Sequence, residues 1–254
     1  MKRMKTVALV LCGLAIVPLA AAGVSEKVAL EAGLEIGDFH YRESHLMRED
    51  GVQFGVYGSL ALLAARPWDF QLFMSLVGGD VEYDGGYSGG SSLKGDTGNS
   101  IFNFRGLAGY VMEAKMLRIE PYGGLGLRYL VNDLDDLPGG YRRQQTYLYL
   151  PLGVDISLPL GNDGKWTIGL KSEFDWMFYG YHKTDKGLDR DFTGQDGWGI
   201  RFTPYVRCDL NEKIALKMEG FGEYWKINES DVDDGFLEPE NASNYYGVRL
   251  GICF

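Results

Sequence analysis

The sequence predicts an all-β chain folded as a ten-stranded antiparallel transmembrane β-barrel, with short turns at one end and five long loops at the other. Three observations predict it. The last strand alternates, with Tyr246, Val248, Leu250, Ile252 and Phe254 on one face and Gly247, Arg249, Gly251 and Cys253 on the other. Beyond residue 22 no segment is apolar for long enough to form a membrane-spanning helix, so crossing a bilayer requires a closed barrel. The connections between alternating segments switch strictly between short and long.

The chain opens with Lys2, Arg3 and Lys5, then an apolar run from Val7 to Ala21 and the small residues Ala20, Ala21 and Ala22. That order is a cleaved export signal over 1–22, leaving 23–254 as the barrel. Cys12 follows Leu9, Val10 and Leu11 rather than small residues, which is a poor setting for lipid attachment.

Period-two alternation then places strands at 27–40, 51–63, 69–81, 100–112, 116–131, 144–158, 165–180, 197–210, 213–227 and 244–254. In the fifth, Leu117, Ile119, Leu125, Leu127 and Tyr129 oppose Arg118, Glu120, Gly124, Gly126 and Arg128. In the seventh, Ile168, Leu170, Phe174 and Trp176 oppose Lys171, Glu173 and Asp175. Short connections fall at 64–68, 113–115, 159–164 and 211–212; long ones fall at 41–50, 82–99, 132–143, 181–196 and 228–243. A soluble sandwich would scatter these lengths, whereas an even-stranded barrel brings both termini to the short-turn side. Pro121, Pro151 and Pro204 fall inside strands without a free edge, so bulges are expected there.

All five tryptophans, Trp68, Trp166, Trp176, Trp198 and Trp225, fall near strand ends, where interfacial girdles lie. Thirty-six glycines, 16 tyrosines and 13 phenylalanines suit strands and turns. Without the export signal, 22 bases remain against 35 acids, a net charge near −13, which excludes nucleic acid as a partner. Cys208 and Cys253 fall on strands two apart and facing opposite ways, so no disulfide is expected.

Ten strands enclose a lumen near the size that side chains fill. Inward positions carry Glu31, Glu35, Arg105, Arg118, Glu120, Arg128, Lys171, Glu173, Asp175, Arg201, Arg207, Lys217, Glu219, Glu223 and Arg249. Both signs are present, so mutual pairing is expected to plug the barrel rather than line an open ion path. The last loop holds six acids and no base between Glu229 and Glu240, in a spacing that misses the calcium-loop pattern, and reads as a solvated acidic loop. Asp96-Thr97-Gly98 spells the aspartic-protease triplet without its strand context. His40, His45 and His182 fall near loop bases. No catalytic, cofactor-binding or metal residue is assigned, and no cofactor is expected.

The terminal aromatic strand resembles the C-terminal signal of Gram-negative outer-membrane barrels. The likeness implies an outer-membrane location, contact with membrane lipid and lipopolysaccharide, and recognition of the last strand by the barrel-assembly machinery. Ten strands with long outer loops also resemble the omptins, outer-membrane proteases with an Asp pair on one wall and an Asp-His pair on the other. Asp80 and Asp84 begin the corresponding second loop, and His182 with Asp185 lies in the fourth. The spacing departs, since the omptin aspartates lie two apart and Gly180 stands two before His182.

A fuller likeness, over nearly the whole mature chain, is to a group of porin-like outer-membrane barrels without assigned function. It is carried by Tyr41-Arg42-Glu43, Pro121-Tyr122-Gly123-Gly124, Tyr147-Leu148-Tyr149-Leu150-Pro151, Tyr224-Trp225-Lys226-Ile227, Glu238-Pro239-Glu240-Asn241 and the last strand. It implies location and fold, and no reaction. The expected function is a structural or surface-interaction role for a monomeric, non-enzymatic barrel with at most a narrow pore. The alternatives are an omptin-like surface protease and a small-solute or ion channel.

Overall fold

The computed structural model describes residues 28–44, 46–65, 67–86, 92–135, 137, 140–161, 164–185, 190–232 and 235–254. The export signal expected at 1–22 lies outside the described residues, as does His45. Among the described residues eleven strands follow in order: β1 (Val28–Glu43), β2 (Met47–Ala65), β3 (Trp68–Gly86), β4 (Ser92–Tyr110), β5 (Met112–Ala114), β6 (Leu117–Asp133), β7 (Arg142–Leu160), β8 (Trp166–Asp185), β9 (Arg190–Asp209), β10 (Ala215–Ile227) and β11 (Asn241–Cys253). Each pairs antiparallel with its neighbour, and β1 closes on β11 from Glu31↔Cys253 to Glu43↔Asn241. β5 continues β4 past Val111, so the closed wall is ten strands round.

Alternation sorts the side chains as expected. Leu34, Ile36, Phe54, Leu125, Phe202 and Leu250 are exposed on the outside, while the charged positions of the same strands turn inward. No helix among the described residues is long and apolar enough to cross a membrane.

The strands run further than hydropathy alternation indicated. The second long loop, 82–99, shrinks to 87–91 because β3 and β4 stay paired to Gly86↔Ser92. The first shrinks to 44–46 as β1 and β2 pair to Glu43↔Met47. Twenty residues of β8 or β9 rise roughly 65 Å along the strand, against an apolar band of about 25 Å. Beyond that band the outward face turns polar, as at Asp80, Glu82 and Asp84, while Val81 and Tyr83 are buried in the lumen, so the apolar-out alternation is lost while the hydrogen-bond ladder continues. β10 and β11 are shorter, 13 residues each, and leave 228–240 as the longest connection.

Bulges do not form at all three internal prolines. One lies between Leu148 and Tyr149, two residues from Pro151. At Pro121 pairing with β7 runs on through Pro121↔Val154, but on the other side the β4–β6 ladder stops at Gly109↔Tyr122, and the fourth strand breaks at Val111, whose N–H donates to the Pro67 carbonyl at 2.7 Å. Opposite Pro204 the β9–β10 ladder skips from Glu219↔Tyr205 to Gly222↔Phe202 in unchanged register. A missing donor costs one rung there; it does not require an extra residue.

Large rings cover inward glycines directly across the ladder. Gly126 faces Tyr149, Gly169 faces Tyr205 and Gly199 faces Trp225. A Cβ at Gly126 would sit 2.2 Å from the Tyr149 ring and one at Gly199 2.8 Å from the Trp225 indole, so only glycine fits beneath them. This corrects the girdle assignment of Trp225. Trp68, Trp166, Trp176 and Trp198 are exposed on the outer wall, but Trp225 is 1% exposed inside the lumen. Its odd number shares the face of Glu219 and Glu223, and Gly199 supplies the room.

Candidate functional site

The lumen is the candidate site, and it is built in layers from the turn end upward. The lowest is a vestibule of roughly 680 Å³, counting its solvent-open mouth, with carboxylates from Glu31, Asp69, Glu120, Asp155 and Glu219 on its wall. Their partners stand beside them: Lys217 Nζ lies 3.0 Å from Glu31 and 2.6 Å from Glu219, and Arg118 reaches Glu120 at 2.6 Å. Lys171 stands 3.8 Å from Asp155.

Above the vestibule four guanidiniums and their carboxylates cross the barrel. Arg105 and Arg201 approach Glu173 Oε1 at 2.9 and 2.5 Å. Arg201 and Arg128 share Glu223 at 2.9 and 3.1 Å, and Arg249 holds Glu35 at 2.6 Å. The network draws on β1, β4, β6, β8, β9, β10 and β11, so it braces opposite walls. Each charge has an opposite partner at contact distance, which is the condition for tolerating burial.

Rings stack on this layer. Tyr149 meets Trp225 edge-on with centroids 4.9 Å apart, and Phe221 meets Tyr245 at the same distance. The Arg249 guanidinium lies 4.3 Å from the Phe221 centroid, joining the two layers. Arg128, Arg249, Tyr149, Tyr245, Phe39 and Trp225 are each under 2% exposed, so the layer is closely packed.

The loop-end layer centres on Arg143. Its Nη2 donates to Glu43, to Tyr41 Oη at 3.0 Å and to Glu238 at 3.2 Å, while Nη1 stands 3.8 Å from Glu49. Glu238 comes from the last connection, folds into the mouth and lies 2.7 Å from His182 Nδ1. The connection is held in that posture by bonds of its own. Ser230 N–H donates to the Glu238 carbonyl at 3.0 Å, and Glu238 N–H to Ser230 Oγ at 2.8 Å. The loop expected to be wholly solvated is therefore mixed: Glu229, Asp231 and Glu240 are exposed, but Glu238 is buried. Nothing in its local sequence separates it from the other acids. Burial pushes the Glu238 carboxyl up, and contact with the His182 imidazole and the Arg143 guanidinium outweighs that and holds it below the usual range.

The groups that carried the omptin comparison are not brought together. Asp80 and Asp84 lie on the outward face of β3, Asp84 bonded to Lys94 at 2.8 Å and Arg48 at 3.1 Å. His182 is inside the wall at 0% exposure, and Asp185, three residues on, faces out to Gln144 at 3.2 Å. His40 is also outside, between Asp50 at 2.5 Å and Tyr246 Oη at 3.1 Å. Asp96 is exposed and Thr97 buried, on opposite faces of β4. Cys208 and Cys253 are free, with Cys253 inside the lumen.

A closed ten-strand wall, an apolar exterior and a charged interior define a Gram-negative outer-membrane β-barrel. The autotransporter beta-domain family matches residues 31–207, and the chain belongs to that family. Its place is the outer membrane, with the short turns on the periplasmic side and the loops outside. No curated protein matches the sequence.

Among solved structures, the outer membrane protease OmpT from Escherichia coli is similar at a TM-score of 0.60 and 10% identity, over 92% of this chain and 100% of that one. The translocator domain of the autotransporter NalP from Neisseria meningitidis gives 0.41 at 9% identity, over 98% and 96%. The outer membrane protein OprG from Pseudomonas aeruginosa gives 0.37 at 12%, over 89% and 95%. At 10% identity the likeness to OmpT is one of fold alone.

Proposed function

We propose that the protein is a self-plugged outer-membrane barrel with a structural or surface-interaction role, monomeric in membrane lipid and lipopolysaccharide. One observation carries this: the unbroken arginine–carboxylate layer, with Arg128, Arg249, Glu35 and Asp175 each at 2% exposure or less. A solute path would require that layer to part, and breaking any of its buried pairs leaves a charge uncompensated. The same layer leaves the lumen no room for a threaded polypeptide. What the barrel offers outward is its loop end, where residues 228–232 and 235–240 sit over the mouth and expose Val232, Phe236 and Leu237.

No catalysis is assigned on this reading, because Asp84 is held outside the wall by Lys94 and Arg48 while His182 is held inside by Glu238. Liposome swelling tests the closure. Proteoliposomes of the refolded protein diluted into isotonic arabinose are expected to swell no faster than protein-free vesicles. Swelling in proportion to protein would replace the plug with a channel.

A further inference from the structure

The vestibule at the turn end holds an acceptor and a donor that its own side chains leave unused. Asp69 lines the cavity and is 8% exposed, yet its Oδ1 has no hydrogen-bond partner among the described residues. Its other oxygen lies 3.5 Å from Arg118 Nη2, which sits closer, at 2.6 Å, to Glu120. A buried carboxylate oxygen without a donor is costly. The fold makes the room beside it. Asp69 stands directly across the ladder from inward Gly109, and the Glu120 carboxylate occupies the space that a Cβ of Gly109 would take.

Lys171 faces the same cavity from β8. Its nearest carboxylate oxygen among the described residues, Asp155 Oδ2, stands 3.8 Å away, beyond hydrogen-bond reach. Asp155 accepts instead from Tyr205 Oη at 3.0 Å. The Lys171 ammonium therefore keeps donors free, within electrostatic range of Asp69 and Glu120. Lys217, elsewhere on the wall, is by contrast held by Glu31 at 3.0 Å and Glu219 at 2.6 Å.

Six carboxylates and five cations line the cavity, and Arg118 on Glu120 is a sixth cation. A lining without net charge does not favour a bare metal ion or a bare anion, whereas an unmet negative end and an unmet positive end suit a dipolar ligand. We propose that the vestibule binds a small zwitterion, an α-amino acid of the size of glycine or alanine, with its ammonium on Asp69 Oδ1 and its carboxylate on Lys171 Nζ. The enclosed part of the cavity has room for about three water molecules, the space that such a ligand displaces. Arg105, Glu173 and Arg201 form its floor, so the site is a cup entered from the periplasm and needs no path through the barrel.

The test is calorimetric titration of the refolded full-length protein in detergent with three probes: glycine, methylamine and acetate. Glycine is expected to bind saturably. Methylamine and acetate, which carry one charged end each, should bind about ten- to a hundredfold more weakly. Asp69→Asn and Lys171→Met should each weaken glycine by a similar factor, while Lys213→Gln, in an exposed turn, should change nothing. Heat-modifiable electrophoresis shows whether each variant has folded. Should Lys171→Met not fold, Asp69→Asn and the three probes on the wild type decide. Absence of saturable glycine uptake, methylamine or acetate binding as tightly as glycine, or unchanged glycine binding by Asp69→Asn overturns the site.

Discussion

Phe254 and Leu30 exchange two backbone hydrogen bonds: Leu30 N–H donates to the Phe254 carbonyl at 3.1 Å, and Phe254 N–H to the Leu30 carbonyl at 2.8 Å. The last residue of the chain thus completes the seam between β11 and β1 at the periplasmic rim. Deleting Phe254 removes both bonds and the final outward aromatic. The heat-modifiable, membrane-inserted fraction is expected to fall severalfold on electrophoresis; unchanged assembly would show that the seam closes without it.

The mid-lumen network predicts a contrast between two arginines. Arg201 touches Glu173, Asp175 and Glu223 and is buried, so Arg201→Ala should destabilise the barrel by about 3–5 kcal/mol. Arg207 pairs with Asp209 at the rim with its side chain 42% exposed, so Arg207→Ala should cost at most about 1 kcal/mol. Urea unfolding in detergent, followed by tryptophan fluorescence, reads both. Equal losses would mean that the lumen charges do not act as a brace.

Trp225 provides a test of position. Brominated lipids should quench emission from Trp68, Trp166, Trp176 and Trp198, which face outward, and leave an unquenched remainder from Trp225. Trp225→Phe should abolish that remainder. Trp225→Ala should in addition cost about 3–5 kcal/mol through the cavity left over Gly199.

The latch on the outer mouth has a pH dependence with a definite sign. The Glu238 carboxyl is depressed in the folded state, so its contribution is complete above the ordinary glutamate value of 4.5 and is lost as pH falls through the lower folded value. A spin label at Val232 should therefore stay immobile down through pH 4.5 and loosen only below it. With Glu238→Gln the label should be mobile at neutral pH. Loosening at the ordinary glutamate value would mean that His182 and Arg143 do not hold the carboxylate.

Much of this was legible in the chain before the structure. Outward Leu34, Ile36 and Leu250 and inward Glu35, Arg128 and Arg249 follow from a period of two, because lipid and lumen impose opposite chemistry on the two faces. The pairing of the inward charges was likewise foreseeable from their balance of sign. What hydropathy could not carry was the continuation of strands where the outward face turns polar and the apolar-out alternation is lost, as in β3 and β4 beyond Asp80 and Gly98. Nearness to a strand end alone misplaces Trp225; its parity with Glu223 puts it on the inward face. Glu238 was illegible for another reason: its burial depends on Arg143, 95 residues away in sequence, and on His182.

The closed lumen is tested most directly by single-channel recording from the purified wild-type protein in planar bilayers. With the Arg201–Glu173–Glu223–Arg128 layer intact, insertion is expected without a reproducible conductance step. A steady step of constant size from the wild type would contradict the plug and make the lumen a pore.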